Sequence, residues 1–238
     1  MPSYPRYLIV YDGSTFHLTW QCHNQEWLMK DEWAKKFYYD QLFEWKDFYG
    51  VSIHAYNFMD NHPHLVGRTI KKEGVSDLMR RINCNFAKEF NKRNNRKGQV
   101  VMSRFKSPTI QTDEHLLSVM VYIDLNPLRA GKVKHPRHYK WTSYHYYAYG
   151  KNDPLITPAP TYLGLGRDDE ERQRIYGEMV EELIEDGFKK ENYSTVHFIG
   201  DPDWVRDNCS SLQNWFKERY LAWRDGPKKD YHDTSNFA

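Results

Sequence analysis

Val51-Ser-Ile-His-Ala-Tyr-Asn-Phe58, Met59-Asp-Asn61 and His62-Pro-His-Leu-Val-Gly67 follow one another without a gap, and their reading decides the fold. The first run alternates, with Val51, Ile53 and Ala55 on one side, as a half-buried strand does. The middle triplet has turn chemistry, and the last run is a short second strand. Pro63 cannot donate to a ladder, so it belongs at a strand start, an edge or a bulge. Upstream, Phe16-His-Leu-Thr-Trp20 also alternates. Between these strands, Asp31 to Tyr49 sets Trp33, Phe37, Leu42, Trp45 and Phe48 near helical spacing. Downstream, Ser76 caps a helix to about Asn91 that buries Leu78, Ile82, Phe86 and Phe90. Val100 to Gln111 reads as a strand. Thr112 or Asp113 then caps a helix through Leu125, with Pro127 as its stop. The order β-α-β-β-α-β-α predicts an α+β fold, an antiparallel sheet with helices packed on it in the split-βαβ manner.

Thr142 or Ser143 caps a short aromatic helix, Tyr144 to Tyr149. Residues 1–150 then form one domain, and the Pro- and Gly-rich stretch 151–166 is a connector. Residues 167–238 form an acidic helical region. In it, Asp168 to Gly187 carries Ile175, Met179, Leu183 and Ile184 on one side, a second helix spans Pro202 to Trp223, and a polar tail runs from Asp225 to Ala238. The charge divides the same way. Residues 1–150 hold 22 Lys and Arg against 14 Asp and Glu, and the remainder holds 12 against 18. Within 66–140 the balance is 17 against 6, which points to a polyanion-binding face. Cys22, Cys84 and Cys209 form no CxxC pair and read as buried or incidental thiols. No run approaches the ~18 apolar residues of a membrane span, and Met1 to Val10 lacks a signal-peptide layout. A cytoplasmic protein with no membrane partner is therefore expected.

Three residues carry the chemistry. His62 and His64, two apart on a strand, point to one face and converge on a hard or borderline cation such as Mg²⁺, Mn²⁺ or Zn²⁺. The spacing is not decisive alone, since eleven histidines in 238 residues yield by chance roughly half of one such pair. On the helix after Thr112, Leu116, Met120 and Ile123 form the buried stripe. Tyr122 and Asn126, four apart, project together at about 120° to it. A tyrosine can attack a phosphodiester and divide one difficult step into two. A phenol ordinarily titrates near pH ~10, so it needs a cation to polarise the phosphate. Asn126 supplies a further ligand oxygen, and Asp60 is a candidate outer partner.

Ala55-Tyr-Asn-Phe-Met-Asp-Asn-His-Pro-His-Leu65 resembles the HUH segment of the single-tyrosine transposases, nearest to the REP-associated tyrosine transposases and small insertion-sequence enzymes. Arg104-Phe-Lys-Ser107, Tyr122-Ile-Asp-Leu-Asn-Pro-Leu-Arg-Ala-Gly131 and Trp141-Thr-Ser-Tyr144 resemble further blocks of that family, in the same order. The likeness covers about residues 7–150. It implies the ferredoxin- or RRM-like HUH fold, with His62, His64 and Asn126 as metal ligands. It also implies that Tyr122 is the nucleophile that links to a DNA 5′-phosphate and releases a 3′-hydroxyl. The implied partner is single-stranded or hairpin DNA. Three departures stand out. Pro63 replaces a bulky apolar residue, Asp60 stands where proline is frequent, and Val100-Val-Met-Ser103 replaces a more aromatic stretch. They bear on strand geometry and DNA choice.

From the residues themselves, Arg80, Arg81, Lys92, Arg93, Arg104, Lys106 and Arg129 are candidate phosphate contacts. Two other readings compete with a nuclease: a non-cleaving hairpin-DNA binder descended from a transposase, and a metal hydrolase that activates water. The second lacks the carboxylate cluster of a two-metal site. Monomer and homodimer are both compatible with the sequence.

Overall fold

The hairpin of residues 51–69 lies at the heart of the computed structural model, which describes residues 5–187, 193 and 196–225. In chain order the elements are β1 (Thr15–Thr19), α1 (Glu32–Trp45), β2 (Val51–Phe58), β3 (Pro63–Thr69), α2 (Gly74–Arg93), β4 (Thr109–Ile110) and α3 (Asp113–Arg129). After these come α4 (Tyr144–Tyr149), α5 (Pro160–Leu163), α6 (Asp169–Glu185), β5 (Phe198–Ile199) and α7 (Pro202–Asp225). The sheet order is β2-β3-β1-β4-β5. β1 pairs antiparallel with β3 and β4, and β2 pairs antiparallel with β3. The expected α+β class holds, but the sheet is mixed, because β5 from the C-terminal region joins β4 in parallel. That region was expected to be wholly helical.

Helices cover both faces of the sheet. On one face Trp20, directly after β1, and Phe58 of β2 pack on Tyr38 of α1, and Trp20 also meets Phe86 of α2. On the other face α3 lies across β2 and β3. β2 is therefore buried along almost its whole length, not half-buried as alternation suggested. Its register also shifts: Ile53 stands opposite Gly67, yet Ala55 stands opposite Val66. His54 is the extra residue of a bulge. The bulge turns Ala55 and Asn57 towards α3, while Val51 and Ile53 face α1 and α2, which corrects the expected single side for Val51, Ile53 and Ala55. Gly67 sits at the tightest point of this pairing. A Cβ there would lie 2.2 Å from the Ser52 carbonyl oxygen.

Several boundaries move. α1 buries Ala34, Tyr38 and Leu42, whereas Phe48 lies past its end and is exposed. α2 begins at Gly74, so Ser76 lies inside it and caps nothing. The expected strand 100–111 shrinks to Thr109–Ile110. Before Pro108, Val101 and Lys106 touch the sheet only through single bridges to Cys22 and Thr19, and Pro108 has no amide hydrogen for a ladder. Thr112, not Asp113, caps α3, accepting from the His115 amide. Pro127 does not stop that helix; it lies in its last turn. The stop is a Schellman motif: Gly131 has φ +67°, its amide donates to Leu128, and the Lys132 amide donates to Pro127.

α3 is buried nearly all round, because α5 and α6 also pack against it. Its Asp124 accepts from Thr142 (2.6 Å), Ser143 (3.1 Å) and Tyr176 of α6 (2.8 Å). Ser143 is thus occupied and makes no side-chain cap for α4. α6 buries Tyr176 and Val180, so its inner face is shifted by one residue from the expected Ile175–Met179 line, and Leu183 is exposed. Of the expected polar tail, residues 226–238 lie outside the described residues.

Gly67→Ala forces the β2–β3 backbones apart and should destabilise the protein by about 3 kcal/mol, the upper end for overpacking. Urea unfolding measures this. An unchanged midpoint would show that the bulge is looser than described.

Candidate active site

Register brings the site together. β1 pairs with β3 so that Thr19 lies opposite His64 and His17 opposite Val66. Residues 17, 19, 64 and 66 therefore share the face that α3 covers. His64 and His17 stack, with ring centroids 5.2 Å apart and planes at 13°. His17 Nε2 lies 2.9 Å from His64 Nδ1. His62 precedes β3 rather than lying in it, but its ring still reaches His64, at 4.7 Å between centroids. His62 Nδ1 donates to Asn61 Oδ1 at 2.6 Å, which leaves Nε2 a lone pair. If His64 Nδ1 donates to His17, His64 Nε2 is likewise free to act as a ligand. Each candidate ligand thus has its other ring nitrogen held, as metal-bound histidines generally do.

All three imidazoles are shifted towards the neutral form. Burial lowers His17 to about 4, with the Tyr193 backbone acting against it and His62 repulsion adding to it. Burial and the Lys132 charge lower His62 to about 4. Burial, then His62, His17 and Arg129, hold His64 well below the usual range. Neutral imidazole is the form that binds a cation.

From α3, Tyr122 and Asn126 are half-buried, as the helical wheel requires. The Tyr122 ring stands edge-on to His17 at 6.4 Å and to Tyr193 at 4.9 Å, and the Arg129 guanidinium lies 4.6 Å over it. Asn126 Nδ2 is buried without a hydrogen-bond partner. Amide oxygen and nitrogen exchange places by a flip, so an unused amide atom is available one turn from Tyr122. Among the described residues, no three His, Cys, Asp or Glu side chains are gathered to hold a metal. The unpartnered Asn126 amide is a candidate third donor, and by its chemistry the donor set of His62, His64 and Asn126 fits a hard or borderline divalent cation.

Other expected residues are placed elsewhere. Asp60 is not a partner of His62. It pairs with Lys35 (2.8 Å) and Lys132 (2.5 Å), and against the cost of burial these lysines hold its carboxyl below the usual range. Asn61 takes the outer position instead. Of the seven candidate phosphate contacts, only Arg129 touches Tyr122. Arg81 covers Trp45 and Arg93 covers Trp33, both on the α1–α2 face, where Arg93 also pairs with Glu89 and Lys92 is exposed. Arg80 pairs with Asp77 and, with Arg104, lines a groove of about 520 Å³ beside α2. Lys106 bridges to Thr19. His17 was missed, although it stands in a strand that the sequence shows. So was Lys132, which links Asp60 to the exposed Trp27, 4.9 Å from its ring. Pairing register across 47 residues, which local pattern does not carry, brings His17 to His64.

Comparison with known proteins bears on the domain and its fold. Residues 10–126 match the family described as Transposase IS200 like. The match places this segment, just under half of the chain, in the IS200-like transposase family. Among solved structures it is similar to a REP-associated tyrosine transposase bound to a REP hairpin. The TM-score is 0.53 at 19% identity, covering 66% of this chain and 92% of that one. This likeness supports the fold. No curated protein matches the chain in sequence. No helix among the described residues is long and apolar enough to cross a membrane.

Histidines that are harder to protonate folded than unfolded let the unfolded state bind more protons. Their stabilising contribution is complete above pH ~6.5 and is lost as the pH falls to about 4. Asp124 works the other way. Burial pushes it up to about 7, against bonds from Thr142, Tyr176 and Ser143, so it adds stability on acidification. Three groups outweigh one, and unfolding free energy should fall by about 2 kcal/mol or more from pH 7 to 5. Level or rising stability in urea titrations over that range would mean that these histidines are charged in the folded protein.

Proposed function

We propose that the chain is a metal-dependent DNA endonuclease and strand transferase acting on single-stranded or hairpin DNA through a covalent link to Tyr122. The observation that carries this reading is that Tyr122 of α3 stands edge-on to His17, which itself stacks on His64, with Asn126 one turn further along α3. The match of residues 10–126 to the IS200-like transposases supports it, and the hairpin held by the similar REP-associated transposase suggests the substrate class. A cytoplasmic location is part of the same proposal.

In this reading His62, His64 and Asn126 hold a Mg²⁺ or Mn²⁺ ion, which when bound supplies charge to polarise the scissile phosphate. The Tyr122 oxygen attacks phosphorus, its new P–O bond forms as the bond to the 3′-oxygen breaks, and the phenol proton ends on that oxygen through solvent. One phosphoester replaces another, so the linkage is preserved for rejoining. Arg129, over the Tyr122 ring, places positive charge beside the attacking oxygen and the phosphate. His17 fixes the His64 ring. Tyr193, from the C-terminal region, packs edge-on against the Tyr122 ring and restrains it.

With labelled hairpin DNA and Mn²⁺, wild type should give a slow-migrating protein–DNA adduct on a denaturing gel. Tyr122→Phe should lose it completely while still shifting DNA on a native gel. His64→Ala should reduce it by at least about 100-fold, the usual scale for one electrostatic contribution. Nicking that survives Tyr122→Phe would point to activated water. Binding with no adduct from wild type, across metals and hairpins, would point to a non-cleaving hairpin binder.

A further inference from the structure

Asn57 is fully buried, and neither its amide oxygen nor its amide nitrogen has a hydrogen-bond partner. Among the described residues no other Asn or Gln side chain has both amide atoms in that condition. Burying an unsatisfied amide is costly, and such groups call for a missing water, ion or chemical role. A β-branched residue would suit a strand packed between two helical layers better.

Its place in the sheet indicates what the amide serves. Asn57 lies opposite His64 on one side and is bridged to Thr142 on the other. With Thr19 opposite His64, the residues Thr19, His64, Asn57 and Thr142 form one row across the sheet. Thr142 bonds to Asp124 of α3, so the row faces α3, the helix that carries Tyr122 and Asn126. Direct cross-strand neighbours place their Cβ atoms about 4.5–5.5 Å apart. The Asn57 amide thus lies beside the His64 ring without bonding to it. Asn126, the other candidate amide, also has a buried nitrogen without a partner. The bulge at His54 is what turns Asn57 to this side.

We propose that Asn57 is a positioning residue of the cation site, its amide oxygen accepting a hydrogen bond from a water bound to the ion held by His62, His64 and Asn126. This rests on the cation reading above and extends it. A cation-bound water is a strong donor and satisfies the acceptor that the protein leaves bare. An outer partner of this kind typically contributes 10- to 100-fold, roughly, in metal affinity.

The test uses the full chain without DNA, with Mn²⁺ as probe. Free Mn²⁺ is counted by electron paramagnetic resonance, and thermal unfolding is followed with and without the ion. Asn57→Val should melt at or above the wild-type temperature, because it removes an unsatisfied amide, yet bind Mn²⁺ at least about 10-fold more weakly. Asn57→Asp should melt lower without metal and gain more from Mn²⁺ than wild type does, since the ion compensates a buried carboxylate. An Asn57→Val variant that binds Mn²⁺ like wild type would overturn the proposal and leave the cation site standing. Wild type that binds no Mn²⁺ would overturn both. If Asn57→Val does not fold, Asn57→Asp decides alone, and a Mn²⁺-induced rise no larger than that of wild type counts against the proposal.

Discussion

His17 against His64 is the contact on which the site depends. It exists because β1 and β3 pair in a register that sets Thr19 opposite His64. A shift of one residue would turn every side chain on β1 to the other face. Trp20 would then leave Tyr38 and Phe86, and His17 would enter the α1–α2 layer. The core that Trp20, Tyr38 and Phe86 form therefore also fixes where the imidazoles stand. Burial on both faces makes the register strict, and the same burial keeps the histidines neutral.

α3 is held in its place by a polar anchor inside an apolar layer. Asp124 collects Thr142, Ser143 and Tyr176, joining α3 to the β2 edge and to α6. Removing one partner would leave a buried acid short of a bond, a costlier change than loss of an exposed ion pair. Tyr122 and Asn126 flank Asp124 two residues on either side, so the anchor sets the rotation of the helix and hence the direction of both candidate site residues. The C-terminal region contributes Tyr176 to the anchor, Tyr193 to the surroundings of Tyr122 and β5 to the sheet. It therefore bears on the fold of the site as well as covering apolar surface.

Most of the fold class was legible because its signals are local. The alternation in residues 16–20 and 51–58, the turn at 59–61 and the cap at Thr112 each depend on neighbours in sequence. The candidate site was legible for the same reason: His62 and His64 are two apart, and Tyr122 and Asn126 are four apart. What escaped depends on partners distant in sequence. His17 needed the β1–β3 register, the bulge at His54 needed the β2–β3 pairing, and β5 needed a neighbour almost ninety residues away. Pro127 was read as a stop, but a proline in the last turn is tolerated where Gly131 and Lys132 satisfy the final carbonyls. The basic residues of α2 show what charge alone leaves out: Arg81 stacks on Trp45 and Arg93 on Trp33, so that face also has a packing role.

The central claim is that the sheet and α3 together make one cation site from His62 and His64, opposite Tyr122. Pulsed electron paramagnetic resonance on Mn²⁺ bound to the full chain reads imidazole nitrogens directly. Two imidazole couplings in wild type, reduced to one in His64→Ala and in His62→Ala, are the predicted result. Bound Mn²⁺ with no imidazole coupling in wild type would contradict the account.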